Sequence, residues 1–304
     1  MVAGQEKEEE GEKAEQEQEQ QEQGGERGGG GGGEQKAMDR ADRRYKRREQ
    51  ESRFLKKSSE DYQVIEEVFD MPTMMVITKM VNEGIIRSVQ SHFAAGKESK
   101  LYIAEAPDGT PLAAKIYLTV SAEFKKRMQY IAGDPRFSDI KKDTRSFIYT
   151  WARKEFKNLQ TAHRAGVRVP APIAVEKNVL LMEFIGDEQG NVATQLANLD
   201  EVTAADYEEV IRQMVILYQK ANLVHADLSE YNIFKSPKGE IMLFDFGSAV
   251  DIRHPNSKQF LIRDVQNVNR FFIKRGIDAV VDTDRLVEKI MAKEEEEGER
   301  ETTT

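Results

Sequence analysis

The 304-residue sequence contains no cysteine, which excludes disulfides and thiolate metal sites. Histidine is scarce as well. His92, His163, His225 and His254 are scattered along the chain and give no metal-ligand spacing. No uninterrupted apolar run approaches the roughly 18 residues needed to cross a bilayer. The amino terminus is rich in Glu rather than apolar, so a signal peptide is not expected. Together these absences predict a cytoplasmic protein with no membrane partner. Its length suits one large domain or two smaller ones.

Charge is abundant but unevenly spread. The formal net charge is −9, yet residues 1–36 alone carry eleven Glu against Lys7, Lys13, Arg27 and Lys36, and residues 293–304 carry six Glu against Lys293 and Arg300. With both ends set aside, residues 37–292 are nearly neutral. The first segment is Glu, Gln and Gly with almost no apolar surface to bury, and both acidic ends are expected to be disordered. The run Gly28–Gly33 formally matches a phosphate-loop pattern, but no strand precedes it and no helix follows. Residues 37–57 have the opposite sign, with nine Lys or Arg against four acids. That stretch reads either as an RNA-phosphate contact that orders on binding or as a solvated helix or linker.

Between the ends the periodicity is that of a folded domain, expected over 58–292. Met71–Val81 reads as a helix closed by Asn82 and Gly84. Ile85–Phe93 alternates as a strand. Ser99–Ala104 and Leu112–Tyr117 are two more, joined by the turn Pro107-Asp108-Gly109-Thr110. Thr144–His163 places Phe147, Ile148, Trp151, Phe156 and Leu159 near helical spacing. Val175–Phe184 reads as a hairpin around Lys177-Asn178, and Thr203–Ala221 as a long helix. Ile233–Lys235 and Ile241–Phe244 form another hairpin, and the chain is expected to be helical from Arg263 onward. A β-rich first half and a helical second half joined near residue 185 predict an α+β fold with two lobes, about 58–184 and 185–292.

One constellation carries chemistry. His225-Ala226-Asp227-Leu228-Ser229-Glu230-Tyr231-Asn232 has the form H-x-D-x-x-x-x-N, and Leu243-Phe244-Asp245-Phe246-Gly247 supplies D-F-G after it. A hairpin fits between the two, bringing Asp227, Asn232 and Asp245 to one end. Phosphoryl transfer needs that set: one carboxylate to orient the attacking oxygen and accept its proton, an Asn and a second carboxylate to hold Mg²⁺ on the phosphates. Such chemistry also needs a cation on a strand upstream, and Ala113-Ala114-Lys115-Ile116-Tyr117 contains one. An ammonium amid apolar neighbours is costly unless paired, and Glu155 on the following helix is the expected partner. The bland alternative is a lysine that snorkels from an edge strand. Between the first two strands, Ala94-Ala95-Gly96-Lys97-Glu98-Ser99 offers one glycine, with backbone N–H groups and the Ser99 hydroxyl as phosphate donors.

These residues, with the carboxy-terminal Arg263-Asp264-Val265-Gln266-Asn267-Val268-Asn269-Arg270-Phe271-Phe272, resemble the RIO kinase family, in particular its Rio1 subfamily. The resemblance covers roughly residues 60–292. It implies a bilobal protein-kinase-like fold, with an antiparallel sheet in the first lobe and a mainly helical second lobe. It further implies ATP with Mg²⁺, or Mn²⁺ in its place. Asp227 would be the catalytic carboxylate, and Asn232 and Asp245 the metal ligands. Asp245 would be a possible acyl-phosphate acceptor. Gly96, Lys97, Glu98, Ser99, Lys115 and Glu155 would serve the phosphates. Met182 would back the adenine pocket, and backbone atoms of Glu183 and Ile185 would meet the base. The implied setting is maturation of the small ribosomal subunit, with the pre-ribosomal particle and its RNA as partners.

Departures from ordinary protein kinases bear on mechanism. Ala226 replaces the Arg of H-R-D, so a phosphorylated activation loop has nothing to pair with there. Ser229 stands where a Lys normally neutralises the transferring phosphoryl group. No A-P-E follows, because Pro255 is the only proline after Asp245. Two alternatives stay open: a nucleotide-gated assembly factor with little turnover, and a small-molecule phosphotransferase. The latter needs a large helical acceptor pocket after the D-F-G.

Overall fold

The computed structural model describes residues 69–96, 99–118, 127–137, 143–187 and 191–292. The acidic tails, the basic segment 37–57, Lys97 and Glu98 all lie outside them.

Helix α1 (Met71–Asn82) starts where Asp70 accepts the Thr73 N–H at 3.1 Å and Pro72 occupies the first turn, where no N–H is needed. It stops at Gly84, whose φ of +70° is a left-handed conformation that L side chains avoid. The N–H groups of Ile85 and Ile86 both reach back to the Met80 carbonyl. They finish the helix, so strand β1 begins at Ser88 and runs to Ala95 instead of starting at Ile85. Strands β2 (Ser99–Glu105), β3 (Pro111–Tyr117), β4 (Pro172–Glu176) and β5 (Val179–Glu183) complete an antiparallel sheet in the order β1-β2-β3-β5-β4.

The twofold periodicity of strands then sorts the side chains. Leu112, Ala114 and Ile116 of β3 join Val179 and Leu181 of β5 in a core under α1. Ala113, Tyr117, Leu180 and Met182 point to the opposite face, into the main core. Lys115 shares that second face, where helix α2 (Thr144–Arg164) packs. Asp143 caps α2 by accepting the Ser146 N–H at 2.8 Å. Its buried side holds the expected Phe147, Ile148, Trp151 and Leu159. It also holds Lys154, Glu155 and Asn158.

The main core continues without a break into the second half. Helix α3 (Ala204–Gln219) starts at a reciprocal cap between Thr203 and Asp206. Helix α4 begins at Ser257 and ends at Lys274, so Arg263 lies inside it rather than at its start; α5 spans Thr283–Met291. The residues between α4 and α5 are not helical, which corrects the expectation of continuous helix. Strands β6 (Thr194–Gln195), β8 (Ile233–Lys235) and β9 (Ile241–Leu243) form one small sheet. Strands β7 (Leu223–Val224) and β10 (Val250–Asp251) form another. The two-residue strands are too short to show a period. Among the described residues no helix is long and apolar enough to cross a membrane.

Candidate active site

The loop after β7 carries Asp227 and the turn after β9 carries Asp245. Ala226 and Asp245 have φ of +64° and +59°, conformations that cost about 1–2 kcal/mol per residue unless the surroundings impose them. At Ala226 the imposing group is Asp264 of α4, which is 1% exposed. Its carboxylate accepts the N–H groups of Ala226 at 2.7 Å and Leu228 at 2.9 Å. Arg263 donates to the Ala226 carbonyl, and Asn267 donates to that of Leu228 at 3.0 Å. Helix α4 thus grips the Asp227 loop from both sides by its backbone. Asn232 Nδ2 donates to the Asp227 carbonyl at 2.8 Å, and the Phe244 N–H donates to the Asn232 carbonyl at 2.9 Å. His225 Nε2 donates to the Phe244 carbonyl at 2.8 Å. The two motifs are therefore stitched to each other directly.

Lys115 projects from β3 into this assembly. Its Nζ lies 2.9 and 3.0 Å from the two Glu155 oxygens and 2.8 Å from Asp245 Oδ1. Burial alone would lower the ammonium pKa, but the Asp245 and Glu155 carboxylates outweigh it and hold the pKa above the ordinary lysine value. Lys115 in turn holds the Asp245 carboxyl below the usual carboxylate range against the effect of burial. Asp227 is pushed the other way. Burial and the neighbouring Asp245 charge raise it, with Arg263 opposing. Two carboxylates in one site with pKa values driven apart suit a proton acceptor beside a metal ligand.

Behind Asp245 the chain is held a second time. Lys154 Nζ donates to the carbonyls of Gly247, at 3.0 Å, and Ala249. Asn158 Nδ2 donates to the carbonyls of Phe246 at 2.9 Å and Ala249 at 2.8 Å. Gly247 lies so close to Trp151 that a Cβ there would stand 2.8 Å from the indole nitrogen. The Arg127 guanidinium covers the Trp151 ring at 4.9 Å.

A cavity of about 540 Å³ opens in front of these groups, within the range of small-ligand sites. Its walls include Gly96, Ser99, Lys115, Glu183, Ile185, Asn232 and Asp245, with Ala113, Phe184 and Phe244 as apolar surface. Glu155 is not part of the wall; it stands behind Lys115. Met182 is buried in the main core, on the Lys115 side of the sheet. Asp227 is tied to the cavity through Asn232 rather than lining it. Among the described residues no group of three or more His, Cys, Asp or Glu could cage a metal. Asn232 and Asp245 are hard oxygen donors that fit Mg²⁺ if phosphate oxygens complete the shell, as is usual for that ion. Sequence reasoning missed Lys154, Asn158 and the role of Asp264. Their partners are backbone groups, and the only available signal was polar residues on the apolar face of a helix.

A five-stranded antiparallel sheet above a helical half, with Lys115, Glu155 and Asp245 joined at the junction, is the bilobal protein-kinase-like fold. Solved structures agree. The Rio2 kinase–ADP/Mg²⁺–phosphoaspartate complex from Chaetomium thermophilum matches with a TM-score of 0.55 at 23% identity, covering 72% of this chain and 66% of that one. The RIO domain model matches residues 100–286. The chain belongs to the RIO family of atypical protein kinases, in its Rio1 subfamily. It is 40% identical over 263 residues to the RIO-type serine/threonine-protein kinase Rio1 of Haloferax volcanii, covering 86% of this chain and 89% of that protein. It is 38% identical over 222 residues to the serine/threonine-protein kinase rio1 of Schizosaccharomyces pombe, covering 71% of this chain. It spans less than half the length of that yeast relative, 44%.

Proposed function

We propose that this chain is a Mg-ATP-dependent serine/threonine protein kinase with ATPase activity, which phosphorylates itself and works in small ribosomal subunit maturation. The observation that carries the reading is the Lys115 ammonium held between Glu155 and Asp245 on the wall of a nucleotide-sized cavity. In this reading Lys115 meets the α- and β-phosphates, and Gly96, Lys97, Glu98 and Ser99 are assigned to the same phosphates, with Gly96 and Ser99 on the cavity wall. The Ile185 carbonyl accepts the Ala193 N–H at 2.9 Å, and backbone atoms of Glu183 and Ile185 are assigned to the adenine edge. Met182 backs the pocket. Asn232 and Asp245 hold Mg²⁺ or Mn²⁺, and the ion supplies charge neutralisation on the phosphates. Asp227 orients the attacking hydroxyl and takes its proton.

The acceptor class follows the names of the curated relatives. The ribosomal setting rests on family resemblance and on the nine basic residues of 37–57, suited to RNA phosphate. The residues assigned to this domain are 58–292. For the ATPase branch, an Asp245 carboxylate oxygen attacks the γ-phosphorus, the bond from that phosphorus to the bridging oxygen breaks, and ADP leaves. Water then hydrolyses the acyl-phosphate to inorganic phosphate and restores the carboxylate. The phosphoaspartate in the Rio2 complex is a precedent.

The test is incubation with Mg-ATP labelled on the γ-phosphate, beside Asp227→Ala and Asp245→Asn. Wild type is expected to move label onto protein or into free phosphate, and Asp227→Ala is not. Hydroxylamine-labile label that Asp245→Asn lacks supports the acyl-phosphate branch. Tight ATP binding with no transfer by wild type would overturn the enzyme reading in favour of a nucleotide-gated assembly factor.

A further inference from the structure

Among the described residues, one titratable side chain with no exposed surface is left unused by the main chemistry. Lys154 is 0% exposed and adjoins Glu155 in sequence, yet its amine meets backbone carbonyls rather than a carboxylate. With Asn158, one turn further along the same helix face, it makes four hydrogen bonds to the carbonyls of Phe246, Gly247 and Ala249. Glu155, between them, holds Lys115, which holds the Asp245 side chain. Helix α2 therefore grips the Asp245 turn twice, once through its carboxylate and once through the backbone that follows it. The second grip has a geometric purpose. Asp245 sits at φ +59°, and Gly247 lies against the Trp151 indole with no room for a Cβ between them. A turn in that conformation keeps its carboxylate aimed only while the surrounding contacts over-determine it.

We infer that Lys154 and Asn158 are positioning residues for Asp245: they fix the backbone of the 245–249 turn to α2 so that Asp245 is presented, together with Asn232, to the metal of a bound nucleotide. They touch no reacting atom and act only through that turn. The inference rests on the nucleotide reading of the cavity and adds that metal affinity is set from behind the site. Groups that orient a metal ligand typically cost about 10–100-fold in metal affinity when removed.

The experiment is ADP binding to the full chain by calorimetry, with and without Mg²⁺, for wild type, Lys154→Met and Lys154→Gln. Wild type should bind ADP more tightly with Mg²⁺; if it does not, the nucleotide-metal reading falls and this inference falls with it. Lys154→Met should lose about tenfold or more of the Mg²⁺-dependent gain while its Mg²⁺-free ADP affinity stays at the wild-type value. Lys154→Gln, whose amide keeps two N–H donors on a side chain one bond shorter, should recover part of that gain. A lysine that only fills space predicts that Met, of similar size, does at least as well as Gln. A wild-type Mg²⁺ gain in Lys154→Met, or no advantage of Gln over Met, overturns the inference and leaves the nucleotide reading intact. Should Lys154→Met show no cooperative unfolding, Asn158→Ala takes its place, removing two of the four bonds under the same criteria.

Discussion

Two lysines are buried against the same Asp245 turn, one from β3 and one from α2, and the protein stabilises them in opposite ways. Lys115 lies among carboxylates, and its ammonium is held above its ordinary pKa despite burial. Lys154 lies among carbonyls; burial pushes its amine down to about 7, with Arg136 adding to the effect and Asp134 opposing it. The first environment keeps a full charge, which phosphates need. The second needs only donors in fixed positions, and a group near neutrality avoids most of the desolvation cost of a buried ion. The pair separates what α2 does for electrostatics from what it does for geometry, although both run through the same Asp245 turn.

The largest effect expected is from Lys115→Met. Removing one partner of a buried ion pair leaves Glu155, 1% exposed, without its counter-charge, which costs about 3–5 kcal/mol. Urea unfolding should show that loss. ATP affinity should fall as well, because the phosphate contact is gone. Glu155→Gln in the Lys115→Met background should return much of the stability and none of the ATP affinity. Recovery of both, or loss of neither, would mean that Lys115 is not the charge centre of the site.

Much of the front of the site was legible in the sequence, and little of its back. That Asp227, Asn232 and Asp245 come together was readable because the two motifs stand at a spacing that a hairpin closes, and the motifs are hydrogen-bonded to each other as expected. Lys115 was readable because an ammonium amid apolar residues demands a partner, and Glu155 was the carboxylate at hand. Lys154 and Asn158 bind backbone carbonyls, and Asp264 binds backbone N–H groups. Every residue carries those groups, so no partner residue marks the contact in the sequence. The same reason explains the late start of β1, since the N–H groups of Ile85 and Ile86 are used by the end of α1. The long helices and paired strands were visible in their periods. The two-residue strands β6, β7 and β10 were not, because they form where the motif loops are already pinned by tertiary contacts.

The contrast between the lysines also makes a pH prediction. In the unfolded chain Lys154 titrates near its ordinary value of 10.5, whereas in the folded protein it does so near 7. Between those values the unfolded state holds a proton that the folded state lacks, so stability rises with pH, by up to about 1.4 kcal/mol per unit. Lys115, shifted upward, adds no slope in that window. Urea unfolding at pH 7 and pH 9 should show wild type gaining roughly 2 kcal/mol relative to Lys154→Gln. Parallel curves would mean that Lys154 stays charged when folded, and that its environment resembles that of Lys115 after all.

The smallest effect sharpens the geometric half of the contrast. Gly247→Ala places a methyl 2.8 Å from Trp151 Nε1 and 3.2 Å from Cε2. The indole cannot easily retreat, because Phe147 stacks on it at 6.0 Å and the Arg127 guanidinium lies over it at 4.9 Å. Overpacking of this kind costs about 1–2 kcal/mol when neighbours shift by a few tenths of an ångström. Trp151 is the only tryptophan in the chain, so its fluorescence reports the shift directly. The expected result is a lower urea midpoint, an altered emission spectrum and a reduced Mg²⁺-dependent gain in ADP affinity, with Mg²⁺-free ADP affinity unchanged. That pattern would place Gly247 with Lys154, on the side of the site that sets geometry. Loss of Mg²⁺-free affinity would instead tie the turn to the Lys115 charge centre, and the separation of the two lysines would fail.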